Sequence, residues 1–300
     1  MTDIDRFHGT LLGLAVGDAV GTTVEFRPRG TFPPVTGMAG GGPFNLQPGE
    51  WTDDTSMALC LATSLLESAG FDPADQMNRY WRWYQEGYLS SNGRCFDIGN
   101  TVRQALHRYR QTGNPYSGST DPMTAGNGSI MRLAPVVLYY FPDHNHVLRY
   151  ATQSSRITHG AAECLDACRL LADTLYRALS GADKEDVLFG SDPDLVASPA
   201  IQAIASGDYR HKTGEAIQGS GYVVSSLEAA LWSFHRTDSF AAAILTAVNL
   251  GNDADTTAAV CGQVAGAFYG QSNIPPSWLS PLAMAAEITA LAGRLYTAHS

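Results

Sequence analysis

Apolar residues recur at three- and four-residue intervals along most of the 300-residue chain, the spacing of helices that bury one face. The pattern predicts helices over Asp5–Val20, Ser56–Ala69, Pro73–Gly87, Asn100–Thr112 and Ala161–Leu179. It predicts four more over Val223–His235, Phe240–Leu250, Thr256–Gly270 and Ala283–Thr297. Period-two alternation is nowhere sustained, so few strands or none are expected and the fold class is all-α. Two stretches, Arg27–Gly49 and Gln111–Gly128, are rich in Gly, Pro and polar residues. Loops of that length in a compact domain are usually functional or mobile. A third irregular stretch, Ser180–Gly221, has helical patterns on both sides and no shift of composition across it. The expectation is one compact multi-helix domain over residues 1–300.

Composition narrows the partners. With 44% hydrophobic residues the chain can build a core without staples. A net charge of −10 and the lack of a Lys/Arg run argue against nucleic acid and anionic membrane, which need a basic footprint. Five cysteines, an odd number mostly set in apolar helical patterns, read as reduced, intracellular and mostly buried. Cys164 and Cys168 have no second pair nearby, which leaves a zinc site unsupported. No signal peptide is clear before the short apolar run Leu11–Val16, and no run reaches the roughly 18 residues of a membrane span. A cytoplasmic location is expected.

Candidate chemistry concentrates at two places. In Thr52-Asp53-Asp54-Thr55-Ser56, five hydroxyl or carboxylate residues stand in a row before an apolar helix. Helix capping is the plain alternative, since such side chains satisfy free N–H groups and suit the positive helix end. One cap needs one such residue, however, and adjacent carboxylates repel each other unless a cation lies between them. The second cluster, Asp253-Ala254-Asp255-Thr256-Thr257, also opens an apolar helix. Its alternate spacing can turn two carboxylates to one side of a loop, as in the EF-hand, whose glycine and final glutamate are missing here. Capping accounts for Asp255 and leaves Asp253 without a reason. Four carboxylates with hydroxyls, and no His or Cys among them, select magnesium, manganese or calcium, and suit a pair of ions.

Other candidates carry less by themselves. Asp18 sits late in the first helical pattern. Glu25 lies between Val24 and Phe26, where burial would raise its pKa into a useful range for an acid or base. Asp97, between Phe96 and Ile98, repeats that setting, with capping as its alternative. The turn Gly126-Asn127-Gly128-Ser129 exposes backbone N–H groups that can receive phosphate oxygens. His159 is either a ligand contact or a hydrogen-bonded helix-end histidine.

Taken in order, five segments resemble the ADP-ribosylglycohydrolase family: GLAVGDAVGTTVE from Gly13, WTDDTSMAL from Trp51, GNGSIMRLAP from Gly126, ITHG from Ile157, and GNDADTTAAVCGQVAGAFYG from Gly251. The resemblance runs over almost the whole chain. It implies an all-α fold with a binuclear magnesium or manganese centre in a cleft. By motif, the metal ligands would be Thr52, Asp53, Asp54, Asp253, Asp255 and Thr256. Glu25 matches an acid that assists catalysis in some relatives. The segment FDIGNT, from Phe96 to Thr101, resembles the branch of bacterial dinitrogenase reductase-activating glycohydrolases, which cleave ADP-ribose from arginine. In that branch the residue matching Asp97 is proposed to act in catalysis.

The resemblance therefore implies hydrolysis of the bond between ribose and an arginine guanidinium. Asp97 or Glu25 would move the proton, and Gly126, Asn127, Gly128 and Ser129, with His159, would receive the diphosphate. An ADP-ribosylated protein would be the substrate and ADP-ribose the product. Three rivals stand beside this: cleavage of serine or other O-linkages, a non-catalytic ADP-ribose-binding protein on the same scaffold, and a metal-dependent phosphoesterase.

Overall fold

The computed structural model describes residues 2–298, so positions 1, 299 and 300 of the expected domain lie outside the described residues. Fourteen α-helices account for most of it. They are α1 (Asp3–Gly21), α2 (Asp53–Glu67), α3 (Pro73–Glu86), α4 (Asn100–Thr112), α5 (Ala134–Tyr140), α6 (His144–Arg156) and α7 (Ala162–Leu179). The second half adds α8 (Lys184–Phe189), α9 (Pro199–Ala205), α10 (Val223–His235), α11 (Phe240–Val248), α12 (Ala254–Tyr269), α13 (Pro276–Leu279) and α14 (Ala285–Thr297). Among the described residues there is no strand, only isolated bridges. One main core draws on Phe7 in α1, Val136 in α5, Leu170 in α7, Val264 in α12 and Leu295 in α14, so the elements form a single domain.

All nine expected helices are present, and local chemistry sets their ends. Asp72 caps α3 by accepting from the N–H groups of Ala74 and Asp75 at 2.9 and 3.0 Å, and Pro73 fits the first turn. Gly87 and Gly113, both at positive φ, stop α3 and α4. Four of the five helices that periodicity did not predict have clear reasons. α5 is one short apolar run, which carries no period. α6 buries only Val147, Ala151, Ser154 and Ser155, too sparse a stripe to stand out from sequence. α8 and α9 are short turns of helix within the irregular stretch 180–221.

The centre of the fold is the antiparallel pair α1 and α12. From Gly9 to Gly21 every residue of α1 is buried, and from Ala254 to Ala267 every residue of α12. Such all-round burial marks helices inside a domain rather than on its surface. Gly13 faces Gly262, Gly17 faces Ala258, and Gly21 faces Asp255. A Cβ on any of these three α1 glycines would come closer than 3.0 Å to the α12 backbone, so only glycine permits the approach. Because the pair is antiparallel, the C-terminal end of α1 meets the N-terminal end of α12. On the other side, Gln263 of α12 accepts from Ala134 N–H at 2.8 Å and donates to the Ile130 and Met131 carbonyls at 3.1 and 2.9 Å. That fixes the segment following the glycine turn against the same helix.

Candidate active site

Three helix ends converge on buried carboxylates. Asp18, on α1 and fully buried, accepts four hydrogen bonds from the start of α2: Thr52 N–H and Oγ1, both at 2.9 Å, and Thr55 N–H and Oγ1 at 3.0 and 2.6 Å. Thr52 Oγ1 also lies 3.1 Å from Asp54 Oδ2 and 3.4 Å from Asp255 Oδ2. A hydroxyl has one proton to give, so it serves one of these three acids at a time. Asp54 Oδ1 and Asp255 Oδ1 are buried without any hydrogen-bond partner. Buried acceptors are almost always satisfied, and orphaned carboxylate oxygens are what a hard cation completes.

Oxygens of Asp18, Asp54 and Asp255 lie within 4.8 Å of one another, and so do those of Glu25, Asp97 and Asp255. Asp255 belongs to both groups. The backbone that brings Glu25 in is pinned to the second cluster: Phe26 N–H donates to Asn252 carbonyl at 2.6 Å, and Asn252 N–H to Arg27 carbonyl at 2.8 Å. Phe26, Asp97 and Asn252 all take left-handed φ angles of 59°, 60° and 58°. Such conformations cost free energy in residues other than glycine and persist where surroundings enforce them.

Burial, and then repulsion among the acids, pushes their pKa values up. Glu25 reaches about 9, through burial and the charges of Asp97, Asp253 and Asp18. Asp97 reaches about 7 through burial and the charges of Asp253 and Asp18. Burial raises Asp18 to about 6 against the pull of its four hydrogen bonds. Asp53, Asp54 and Asp255 are held well above the carboxylate range by burial first and their neighbours second, and burial raises Asp253 too. Among the described residues no Lys or Arg forms an ion pair with any of these seven acids. The protein supplies no positive charge of its own here.

A cleft of about 370 Å³ opens over this floor. The acidic group Glu25, Asp53, Asp97 and Asp253, with Thr256, lines it, and so do Gly126, Asn127, Gly128 and His159. Asn127 joins the two groups, its Nδ2 donating to Asp253 Oδ2 at 2.5 Å and to Ser226 Oγ at 3.2 Å. His159 is 2% exposed, and burial with the nearby Arg132 charge lowers its pKa to about 3, so the ring is neutral.

Several expectations change in detail. α12 begins at Ala254, so Asp253 holds the cap position and Asp255 lies in the first turn, the reverse of the sequence assignment. Neither Thr52 nor Asp253 caps its helix through its side chain, so capping does not explain them. Asp97 caps nothing, since α4 is preceded by Gly99. In the glycine turn, the Gly126 N–H donates to Thr124 carbonyl at 2.7 Å and the Asn127 N–H to Gly221 carbonyl at 3.0 Å. The Gly128 and Ser129 N–H groups have no partner among the described residues, and of the two residues only Gly128 lines the cleft. The Ser129 side chain does not line the cleft but lies against the Cys168 thiol. Asp18 received no role from sequence. Its signal was there, a charge in the buried second half of α1, but its partners are more than thirty positions away.

The ADP-ribosylglycohydrolase family model matches residues 1–300. The chain is 49% identical over 298 residues to an ADP-ribosylarginine hydrolase, Tri1, of Pseudomonas putida, covering 98% of this chain and 78% of that one. It is 34% identical over 290 residues to the ADP-ribosyl-[dinitrogen reductase] glycohydrolase of Rhodospirillum rubrum, covering 94% and 92%. A solved structure described as an ADP-ribosylglycohydrolase-related protein complex superposes with a TM-score of 0.87 at 47% identity, over 99% of both chains. No helix among the described residues is long and apolar enough to cross a membrane.

Proposed function

The chain belongs to the ADP-ribosylglycohydrolase family, and from that premise we propose that it hydrolyses the N-glycosidic bond joining ADP-ribose to arginine side chains of proteins. The observation that carries the proposal is Asp255, shared between two groups of close-set acids, one of which includes Asp97 at the open cleft. The arginine linkage is further supported by the two relatives whose names carry arginine or dinitrogen reductase.

The donor set fits two divalent ions, magnesium or manganese, because every oxygen is hard and two are orphaned. Thr52, Asp53, Asp54, Asp253, Asp255 and Thr256 would hold them. Bound there, the pair supplies Lewis-acid charge to ribose hydroxyls and to a water. Asp18, which accepts from the Thr52 and Thr55 N–H groups and the Thr55 hydroxyl, holds the start of α2 in place for its neighbours.

In the reaction, water adds to the anomeric carbon as the bond to the guanidine nitrogen breaks, and the guanidine leaves with a proton. Surrounding carboxylates stabilise positive charge developing on the sugar. Asp97 lines the open cleft beside these acids, which places it to take a proton and return one. Glu25 is the second candidate for proton transfer. The diphosphate would take the free N–H of Gly128 together with the His159 ring.

The test is release of ADP-ribose from arginine-modified and serine-modified proteins, with manganese or magnesium and with a chelator. Metal-dependent release from arginine alone is expected. Release from serine would overturn the linkage, and AMP or free phosphate as product would replace the glycohydrolase by a phosphoesterase. ADP-ribose binding without turnover of either substrate would leave a binding protein.

A further inference from the structure

Behind the glycine turn sits Arg132, fully buried and without a carboxylate partner among the described residues. Its Nη1 donates to Gly128 carbonyl at 2.7 Å, and its Nη2 to Thr158 Oγ1 at 2.6 Å and Ser154 carbonyl at 3.4 Å. The Tyr80 ring lies against the guanidinium at 5.0 Å. A buried cation without a counter-charge is costly, so its place calls for a reason.

Proton accounting along the chain of contacts supplies one. A guanidinium only donates, so Thr158 Oγ1 is the acceptor in its contact with Arg132. The hydroxyl proton is then free, and the neighbour that can take it is His159 Nδ1, 2.8 Å away. With Nδ1 accepting, the neutral ring must carry its proton on Nε2. Nε2 has no hydrogen-bond partner among the described residues and lies on the cleft wall beside the glycine turn. The turn leaves room for it, since a Cβ on Gly128 would stand 2.7 Å from His159 Cε1.

We infer that Arg132 and Thr158 are positioning residues that hold His159 as a fixed Nε2–H donor aimed at an oxygen of the bound ADP-ribose, next to the Gly128 N–H group. The inference rests on the proposed function for the identity of the ligand, but the tautomer itself belongs to the free protein. A neutral donor with its proton already placed pays no cost of tautomer change on binding. Arg132 adds its charge behind the same wall, which favours an anionic group on the other side.

Two measurements decide it. Nitrogen-15 NMR of the imidazole in the free protein at neutral pH should show His159 with its proton on Nε2. Thr158→Val should lose that single tautomer, and Thr158→Ser should keep it. ADP-ribose affinity, measured by calorimetry, should fall roughly tenfold in Thr158→Val and recover in Thr158→Ser, the scale of one lost hydrogen bond. Turnover at saturating substrate should change less than KM. Arg132→Met should mix the tautomers likewise, and if it does not fold, the Thr158 variants decide alone. A proton on Nδ1 in the unaltered protein, or a Thr158→Val variant with unchanged tautomer or affinity, would overturn the inference. If the unaltered protein shows the Nε2 proton but binds no ADP-ribose, the functional proposal fails while the tautomer relay stands.

Discussion

The two groups of residues that line the cleft are built on opposite terms. At the floor, seven acids crowd together, and among the described residues none has a Lys or Arg ion-pair partner, while Asp54 and Asp255 each keep a buried oxygen without a hydrogen-bond partner. At the glycine turn the Gly126, Asn127 and Gly128 carbonyls all accept hydrogen bonds, and what faces the cleft unpaired among the described residues are donors: the N–H of Gly128 and the Nε2 of His159. One group lacks basic side chains and the other offers polar hydrogens. A diphosphate placed on the floor would meet only like charge, whereas ribose hydroxyls reach acceptors there once cations are present. Under the proposed function this contrast would orient ADP-ribose, with its reactive ribose over the acids and its phosphates at the turn.

The largest test of that contrast is Asp255→Asn. Because both acidic groups share this residue, the variant should lose on the order of a thousandfold or more in kcat/KM even in saturating manganese. Near-normal turnover would remove the shared-ligand assignment. Asp97→Asn should lower kcat roughly a hundredfold, the scale of one proton-transfer group, while ADP-ribose binds as before. Equal loss of binding would mean that Asp97 holds the ligand rather than moving a proton. At the glycine turn, Gly128→Ala pushes a methyl against His159 and should weaken ADP-ribose roughly tenfold without changing manganese affinity. A matching loss of metal would show that the turn and the floor are not independent.

The smallest expected effect is on stability, and its sign follows from the raised pKa values. A carboxyl that holds its proton more tightly in the fold than in the unfolded chain stabilises the fold at low pH. That contribution is lost as pH rises through the folded value. With Asp18 near 6, Asp97 near 7 and Glu25 near 9, chelator-treated protein should lose roughly 5–10 °C of melting temperature between pH 5 and 9. Divalent metal should flatten or reverse the trend, because it favours the charged acids. A metal-free melting curve that rises with pH would mean that the acids are paired in some other way.

Much of the site was legible beforehand because its residues are neighbours in sequence. Thr52 to Asp54 and Asp253 to Thr256 stand in short runs too dense in oxygen for capping alone, and they do meet in space. What could not be read were relations between segments. Asp18 became central through bonds to α2, and the glycine turn lost two of its four N–H groups to Thr124 and Gly221. Arg132 stood inside a quoted segment without a role, since nothing in the sequence says that it reaches Thr158.

By itself the sequence determined the helical class, through the period of its apolar residues, and it pointed to the candidate chemistry, through hard oxygen donors with no sulfur or imidazole among them. Only the tertiary structure decided which oxygens share a centre and which N–H groups stay free. The physical reason is that both depend on distances across the fold. These are set by the glycine-lined contact of α1 with α12, which brings Asp18 and Asp255 to one end. Hydrogen-bond saturation is likewise a sum over partners far apart in the chain, and no local pattern carries it.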